Sequence, residues 1–179
     1  CAVVGTRTMS EYGKRISYDV GRGLGAGGAV LVSGLALGVD GMSMAGALSA
    51  GGVTVGVLGC GIDIVYPPEH KDLMQRVLKD GAVITEYPPG TPPNGYHFPK
   101  RNRIISGLSC GVLVVEAPEK SGALITARQA ADQGRDVFVV PGNVDVPSCA
   151  GSNRLLREGA IAVASGWDVV SEYQGLFPD

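Results

Sequence analysis

Residues 1–11 read Cys1-Ala2-Val3-Val4-Gly5-Thr6-Arg7-Thr8-Met9-Ser10-Glu11, an apolar run that ends at a glycine and is followed by a serine. A continuously apolar run, Ala2–Val4, is typical of a strand that is buried on both faces. Ser10 can cap a helix that extends from Glu11 to about Leu24. Strand, turn and helix in this order form the first half of a βαβ unit.

The same valine-rich pattern returns along the chain. Six further apolar runs alternate with stretches of helical spacing, at Val30–Val32, Val53–Leu58, Ala82–Thr85, Val112–Val115, Val137–Val140 and Ile161–Ala164. Because these runs do not alternate between apolar and polar residues, they predict a mostly parallel sheet with helices on both faces. We therefore expect an α/β, Rossmann-like, doubly wound fold that forms one domain over residues 1–179.

Local signals refine this expectation between the strands. Asp40 is expected to cap a helix to about Ala50, and Ser121 one to Gln133. The stretch Tyr87–Pro99 holds five prolines and predicts a long irregular segment without a helix or central strand. A loop of this length usually carries function.

Composition limits the possible functions. The 179 residues are 45% hydrophobic, and the longest apolar runs are far too short to span a bilayer. Four scattered cysteines lack metal-ligand spacing, so we expect reduced thiols in a cytoplasmic protein with no membrane partner, metal or other cofactor. A net charge of -2 argues against the broad basic face of a duplex-DNA binder, so nucleic-acid contacts would require a local cluster of charge.

Glycines gather directly after the predicted strands, at Gly5-Thr6-Arg7, Ser33–Gly38, Gly59–Gly61, Ser121-Gly122 and Pro141–Asn143. The carboxyl ends of parallel strands form a ligand crevice, where glycine lets backbone N–H groups approach an anion and helix N-termini favour phosphate. For one turn, tight packing is the simpler explanation of a glycine. The convergence of several such turns at one edge of the sheet predicts an anion or phosphate pocket formed by Gly5, Thr6, Gly38, Ser121 and Gly122.

The first turn lacks common nucleotide-binding motifs. No G-x-G-x-x-G follows the first strand and no G-x-x-x-x-G-K-[ST] loop occurs, so neither NAD binding nor an ATPase mechanism has support. Arg7 instead offers a planar, permanently charged guanidinium at the mouth of the crevice, where it suits bidentate contact with phosphate. A surface salt bridge is the alternative interpretation.

The segment Tyr96-His97-Phe98-Pro99-Lys100-Arg101-Asn102-Arg103 interleaves aromatic rings with three cations. Unpaired bases can stack on Phe98 or Tyr96 while the cationic side chains contact phosphates, and every base tolerates this arrangement. Those side chains are Lys100, Arg101 and Arg103. Alternatively, Phe98 seals the core and the arginines pair with Glu86 and Glu116.

Several motifs span nearly the whole chain in order: Val3–Arg7 with Ser10–Gly13, Ser33–Asp40, Gly61–Asp63 with Tyr66-Pro67, Phe98–Ile105, Ser121–Arg128 and Pro141-Gly142. Together they resemble the DNA-processing protein A (DprA/Smf) family. The resemblance implies a protein without catalytic turnover that binds single-stranded DNA, usually as a homodimer. It also implies loading of a RecA-type recombinase onto that DNA in recombination and natural transformation.

The resemblance assigns roles to residues of the two distinctive segments. Arg7 would contact phosphate and Phe98 would stack on a base, while Ser33 and Gly34 would provide hydroxyl and backbone donors. With the cations above, the expected nucleic-acid-binding set is Arg7, Ser33, Gly34, Phe98, Lys100, Arg101, Asn102 and Arg103. Several relatives carry a lysine where this sequence has Asn94-Gly95, so affinity is expected to depend more on Lys100. Relatives also commonly carry flanking domains, so we expect an excised central domain.

Two other function classes stay open. Glu86 and Glu116 follow strands on the crevice side, and a carboxylate beside a phosphate site could act as nucleophile or base in a nucleotide-cleaving, phosphoribohydrolase-like enzyme. The Pro-Gly-Gly-x-Gly-Thr loop associated with those enzymes is absent. A small-nucleotide sensor would use the same glycine crevice but would not need Phe98 with its basic neighbours.

Overall fold

Seven parallel strands form one sheet in the computed structural model, which describes residues 1–177. Each predicted apolar run overlaps one of these strands. They are β1 (Ala2–Val4), β2 (Leu31–Ser33), β3 (Thr54–Val57), β4 (Ala82–Ile84), β5 (Gly111–Val114), β6 (Asp136–Val139) and β7 (Ile161–Ala162), in the order β4-β3-β2-β1-β5-β6-β7. The predicted α/β class and parallel sheet are confirmed.

Within residues 1–177, seven α-helices connect and cover the strands. They are α1 (Glu11–Ala26), α2 (Val39–Ser49), α3 (Lys71–Asp80), α4 (His97–Gly107), α5 (Gly122–Asp132), α6 (Ala150–Arg157) and α7 (Gly166–Tyr173), with short 3-10 helices at Pro68–His70 and Pro147–Cys149. Among residues 1–177, none of the helices has the length and apolar character needed to cross a bilayer.

Two hydrophobic cores lie on opposite faces of the sheet. Val3 and Leu113 belong to the core that includes side chains of α1, α2, α3 and α7. Val4 and Val112 belong to the other core, with side chains of α4, α5 and α6. Because neighbouring residues of one strand enter different cores, both must be apolar, which explains the continuous runs in the sequence.

Two of the three predicted caps are confirmed. The Ser10 hydroxyl accepts a hydrogen bond from the N–H of Gly13 at 3.0 Å, and the Ser121 hydroxyl accepts one from the N–H of Ala123 at 3.2 Å. The prediction for Asp40 is wrong, because α2 begins at Val39 with Gly38 as its N-cap. Gly38 has a φ of +85°, a conformation that favours glycine.

The predicted irregular segment ends earlier than expected. Helix α4 begins at His97, so Phe98 and Pro99 lie in its first turn. Proline is tolerated there because N–H groups of the first turn have no partner within the helix. The loop before α4 is held in place by Asp63, whose carboxylate accepts the N–H of Gly90 at 2.8 Å.

Helix α4 also lies on the crossover that brings the chain from β4, at one edge of the sheet, to β5 beside β1. The parallel topology places the carboxyl ends of all seven strands at one edge of the sheet. The glycine-rich turns therefore meet at this edge, as predicted, and the first turn of α4 closes over the turns that follow β2 and β3.

Candidate nucleic-acid interface

A pocket of about 50 Å³ lies at the carboxyl ends of β1, β2 and β3. Its walls combine residues of five separate stretches of sequence, among them Arg7, Gly34, Gly59, Tyr66, Phe98 and Arg101. Sites that enclose small molecules are usually of the order of 300 Å³ or more. This pocket therefore suits a phosphate group or the edge of a ring, and a larger ligand would lie across its mouth.

The Phe98 ring forms one wall of the pocket and has three neighbours. Tyr66 stacks on it with ring centres 5.5 Å apart and 20° between the planes. The guanidinium carbons of Arg7 and Arg101 lie 5.3 Å and 5.5 Å from the ring centre. A Cβ atom at Gly59 would lie 2.8 Å from the ring, so the absence of a side chain there lets Phe98 pack against the turn after β3.

Arg101 is buried beneath the pocket, with 4% of its surface exposed. Its guanidinium donates hydrogen bonds to the carbonyl oxygens of Gly34, at 3.1 Å, and Val57, and to the Asn102 side-chain oxygen, at 3.1 Å. Burial lowers the pKa of Arg101, and the opposite charge of Asp40 acts against that shift. Arg101 was expected to contact nucleic acid directly, but the structure places it as a support for the pocket-lining loops.

Asp40 is the acidic partner that the sequence interpretation missed. Its carboxylate accepts the N–H of Gly34 at 3.0 Å, so the two peptide groups that flank this glycine are held by Asp40 and Arg101. Burial raises the pKa of Asp40, while Arg101 and the hydrogen bond from Gly34 lower it. The available signal was an isolated charge in the otherwise uncharged stretch from residue 33 to 50.

The predicted donors Ser33 and Gly34, and Thr6 of the expected anion pocket, are already hydrogen-bonded within the fold. The buried Ser33 hydroxyl donates to the carbonyl oxygen of Val3 at 2.7 Å, which directs it into the sheet. The Thr6 N–H donates to the carbonyl oxygen of Glu116 at 2.7 Å, and its hydroxyl contacts the Thr8 backbone. These residues shape the crevice, but their hydrogens are not directed to a ligand.

The glycines of the expected anion pocket fall into two groups. Gly5 and Gly38 allow the turn after β1 to pack against α2, because a Cβ at Gly5 would lie 2.5 Å from a Val39 methyl carbon. Ser121 and Gly122 begin α5 at the same sheet edge but lie outside the residues that line the pocket. Gly122 has open space beside its Cα.

The other cations of the expected nucleic-acid-binding set differ in their surroundings. Arg103 forms an ion pair with Glu86, which was the alternative interpretation for the arginines. Arg7 and Lys100 are exposed, and within residues 1–177 neither has a carboxylate within 4.0 Å. These two side chains therefore remain available to bind phosphate.

Glu116 is completely buried against the first turn of α1. One carboxylate oxygen accepts hydrogen bonds from the Ser10 N–H, at 3.2 Å, and the Ser10 hydroxyl, at 3.0 Å. A Cβ at Gly13 would lie 1.8 Å from the same oxygen. Dinucleotide-binding folds place phosphate at this helix terminus. Glu116 therefore occupies that position and has no access to a substrate, which disfavours the hydrolase interpretation.

Both histidines fix loops that approach the pocket. Nδ1 of His70 donates to the carbonyl oxygen of Leu35 at 2.6 Å, and Nδ1 of His97 donates to that of Gly59 at 2.9 Å. His97 also stacks on Tyr87, with ring centres 4.1 Å apart. These roles could not be predicted from the sequence, because the partners are backbone atoms distant along the chain.

Known proteins are similar to this chain in sequence and fold. The family model of DNA recombination-mediator protein A matches residues 1–174. DNA processing protein DprA of Bacillus subtilis is 46% identical over 170 residues, which cover 95% of this chain and 57% of that protein. The structure of DNA processing protein A from Streptococcus pneumoniae has a TM-score of 0.88 at 44% identity, covering 96% of this chain and 60% of that one.

A third relative is DNA processing protein A from Helicobacter pylori, whose structure was described for its single-stranded DNA binding mode. It has a TM-score of 0.88 and 30% identity, and the match covers 98% of this chain and 80% of that one. The present chain thus spans a little over half the length of the B. subtilis and S. pneumoniae proteins.

Proposed function

This chain belongs to the family of DNA recombination-mediator protein A, and on that premise we propose that it binds single-stranded DNA at the pocket between Arg7 and Phe98. The observation that carries the proposal is the exposed guanidinium of Arg7, which lies over an aromatic ring at the pocket mouth. The single-stranded DNA binding described for the H. pylori relative supports it.

Arg7 and Phe98 bind the strand in a coupled step. A bidentate, charge-assisted contact with phosphate is stronger than the interaction of an exposed guanidinium with a ring. When phosphate binds, the Arg7 guanidinium therefore moves from the Phe98 ring to the phosphate. A base then stacks on the face of Phe98 that becomes free. Lys100 provides a second phosphate contact on the same helix that carries Phe98.

The buried residues serve this site without touching the strand. Asp40 and Arg101 hold the loop after β2 through Gly34, and His97 holds the turn after β3 through Gly59. No bond of the DNA is broken in this proposal, because Glu116 is buried and Glu86 is paired with Arg103. The domain acts as a binding protein and not as an enzyme.

The test is fluorescence-polarisation binding of a labelled oligothymidylate and of a matched duplex at two salt concentrations. The parent should prefer the single strand, and Arg7→Ala should reduce the slope of log K against log salt by about 0.7, the value for one phosphate contact. Phe98→Ala should weaken binding roughly tenfold with little change of slope. Arg22→Ala removes an exposed arginine in the second half of α1, away from the pocket edge, and serves as control.

Two outcomes would overturn this assignment. In one, the parent does not bind the single strand; in the other, Arg7→Ala and Phe98→Ala bind it as tightly as the parent does. Either result would favour the alternative that the glycine crevice binds a small nucleotide. Nucleotide binding and hydrolysis would then be measured.

We further propose that the functional protein is a homodimer that loads a RecA-type recombinase onto the bound strand during recombination and natural transformation. The description of the matching family as a recombination mediator supports the role in recombination. Sedimentation analysis measures the oligomeric state. Recombinase loading is measured as the rate of ATP hydrolysis by RecA on DNA coated with a single-strand-binding protein, which the parent should accelerate and Arg7→Ala should not.

A further inference from the structure

Tyr96 is an open aromatic ring two residues before Phe98, which lines the pocket. It is 87% exposed, whereas Tyr12, Tyr18 and Tyr66 are each 36% exposed. A base stacks on a ring only through a free face, and the neighbours of Phe98 already occupy positions over its ring. Tyr96 therefore offers a stacking surface that needs no rearrangement of the free protein.

The backbone that carries Tyr96 is firmly held. The Asn94 side-chain oxygen accepts the N–H of Tyr96 at 3.0 Å, and the Asn94 carbonyl oxygen accepts the N–H of His97 at 2.9 Å. His97 is in turn bonded to Gly59 and stacked on Tyr87. Because the backbone is already ordered, stacking on Tyr96 costs little conformational entropy beyond that of its own side chain.

Positive charge lies on the same side of α4 as Tyr96. Tyr96 is the N-cap of α4 and has helical backbone angles, φ -74° and ψ -22°, so Lys100, four residues later, lies on the same face. Phe98 and Arg101 face the pocket instead. The first turn of α4 contains no acidic residue that would repel phosphate. We call the exposed pair Tyr96 and Lys100 the outer stripe of α4.

We propose that a single strand leaving the pocket crosses the outer stripe of α4, with a base stacked on Tyr96 and a phosphate bound by Lys100. This inference rests on the proposed function and adds a second stacking position to it. The occupant is a single strand, because bases within a duplex have no free face for the ring. Since stacking and phosphate contacts are blind to base identity, the stripe adds affinity without sequence preference.

The experiment compares oligothymidylates of about four and about twelve nucleotides, which lie within the usual range of site sizes. Tyr96→Ala should weaken binding of the longer strand roughly tenfold and leave that of the shorter strand unchanged, with the salt slope unaltered. Tyr96→Phe keeps the stacking face and should bind like the parent. Tyr18→Ala is the matched control on α1. Lys100→Ala should instead reduce the salt slope by about 0.7 for the longer strand.

The outcomes separate this inference from the function on which it rests. If Tyr96→Ala binds the longer strand as tightly as the parent, the outer stripe is wrong while binding at the pocket stands. Equal losses for both lengths would also overturn it, because Tyr96 would then belong to the pocket. If the parent binds neither strand, the proposed function fails and the stripe fails with it.

Discussion

Arg101 and Gly34 are joined by a hydrogen bond of 3.1 Å from a buried guanidinium to a backbone carbonyl oxygen. The two residues are separated by 67 positions in the sequence, since Arg101 lies in α4 and Gly34 in the turn after β2. The charged side chain of Arg101 thus stabilises the loop after β2, which lines the pocket. Its neighbour Lys100 faces solvent.

This difference in burial predicts that substitution of Arg101 affects stability, whereas substitution of Lys100 affects DNA binding. Arg101→Ala should lower the free energy of unfolding by about 3 kcal/mol, because it leaves Asp40 buried without its compensating charge and removes the donor to Gly34 and Val57. Lys100→Ala should change stability by less than about 0.5 kcal/mol and weaken DNA binding. Urea unfolding measures the first effect. Equal stability of the two variants would contradict a supporting role for Arg101.

Two glycines of the expected anion pocket should respond differently to alanine. Gly38→Ala should destabilise the protein by about 2 kcal/mol or more, because φ is +85° and the added Cβ would lie 2.2 Å from the Thr6 carbonyl oxygen. Gly122→Ala enters open space in the first turn of α5 and should stabilise it by up to about 1 kcal/mol.

Thermal unfolding followed by circular dichroism gives both values. A normal melting temperature for Gly38→Ala would show that the turn after β1 and the start of α2 can separate without loss. A large destabilisation by Gly122→Ala would indicate that a neighbour fills the space beside it.

Acid should weaken the start of α7. The Asp168 carboxylate accepts the N–H groups of Ala164, at 2.8 Å, and Ser165, at 2.9 Å, and chiefly the first of these lowers its pKa below the usual 3.8. A group with a lowered folded-state pKa adds stability above its unfolded pKa, and that stability is lost as pH falls through the folded value. Asp168→Asn should therefore melt below the parent at neutral pH, and the gap should narrow below pH 3.8.

The matched control is Asp145→Asn, because Asp145 is exposed. Melting temperatures of both variants and the parent across the acid range make the comparison. A gap between Asp168→Asn and the parent that stays constant at all pH values would mean that the carboxylate charge is not what stabilises this helix terminus.

The sequence predicted those parts of the fold that depend on neighbouring residues. Apolar runs such as Ala2–Val4 give strands because both faces of the sheet are covered, and Ser10 caps α1 through a bond to a residue three positions away. The first turn of α4 was missed because a segment with several prolines resembles a loop. Pro99 is nevertheless compatible with the third position of a helix.

The site was predicted less completely, and for a physical reason. The family resemblance assigned Arg7 and Phe98 to one DNA site, and the structure brings them together, with the Arg7 guanidinium carbon 5.3 Å from the centre of the Phe98 ring. Arg101 and Arg103 lie two residues apart on one helix and so point in different directions, one to buried carbonyl groups and the other to Glu86. Which direction is buried depends on the loops that pack there, and these are distant in sequence.

The carboxyl group of Glu116, fixed against the first turn of α1, also has a consequence for regulation. A free nucleotide could bind at this helix terminus only by displacing the Glu116 carboxylate. Because that carboxylate is part of the same chain, its effective concentration at the helix terminus is always high. Fluctuations in cellular ATP or NAD would then have little influence on the domain at this position. Binding at this edge of the sheet would then depend on the proposed single-stranded DNA site and not on free nucleotides at this helix terminus.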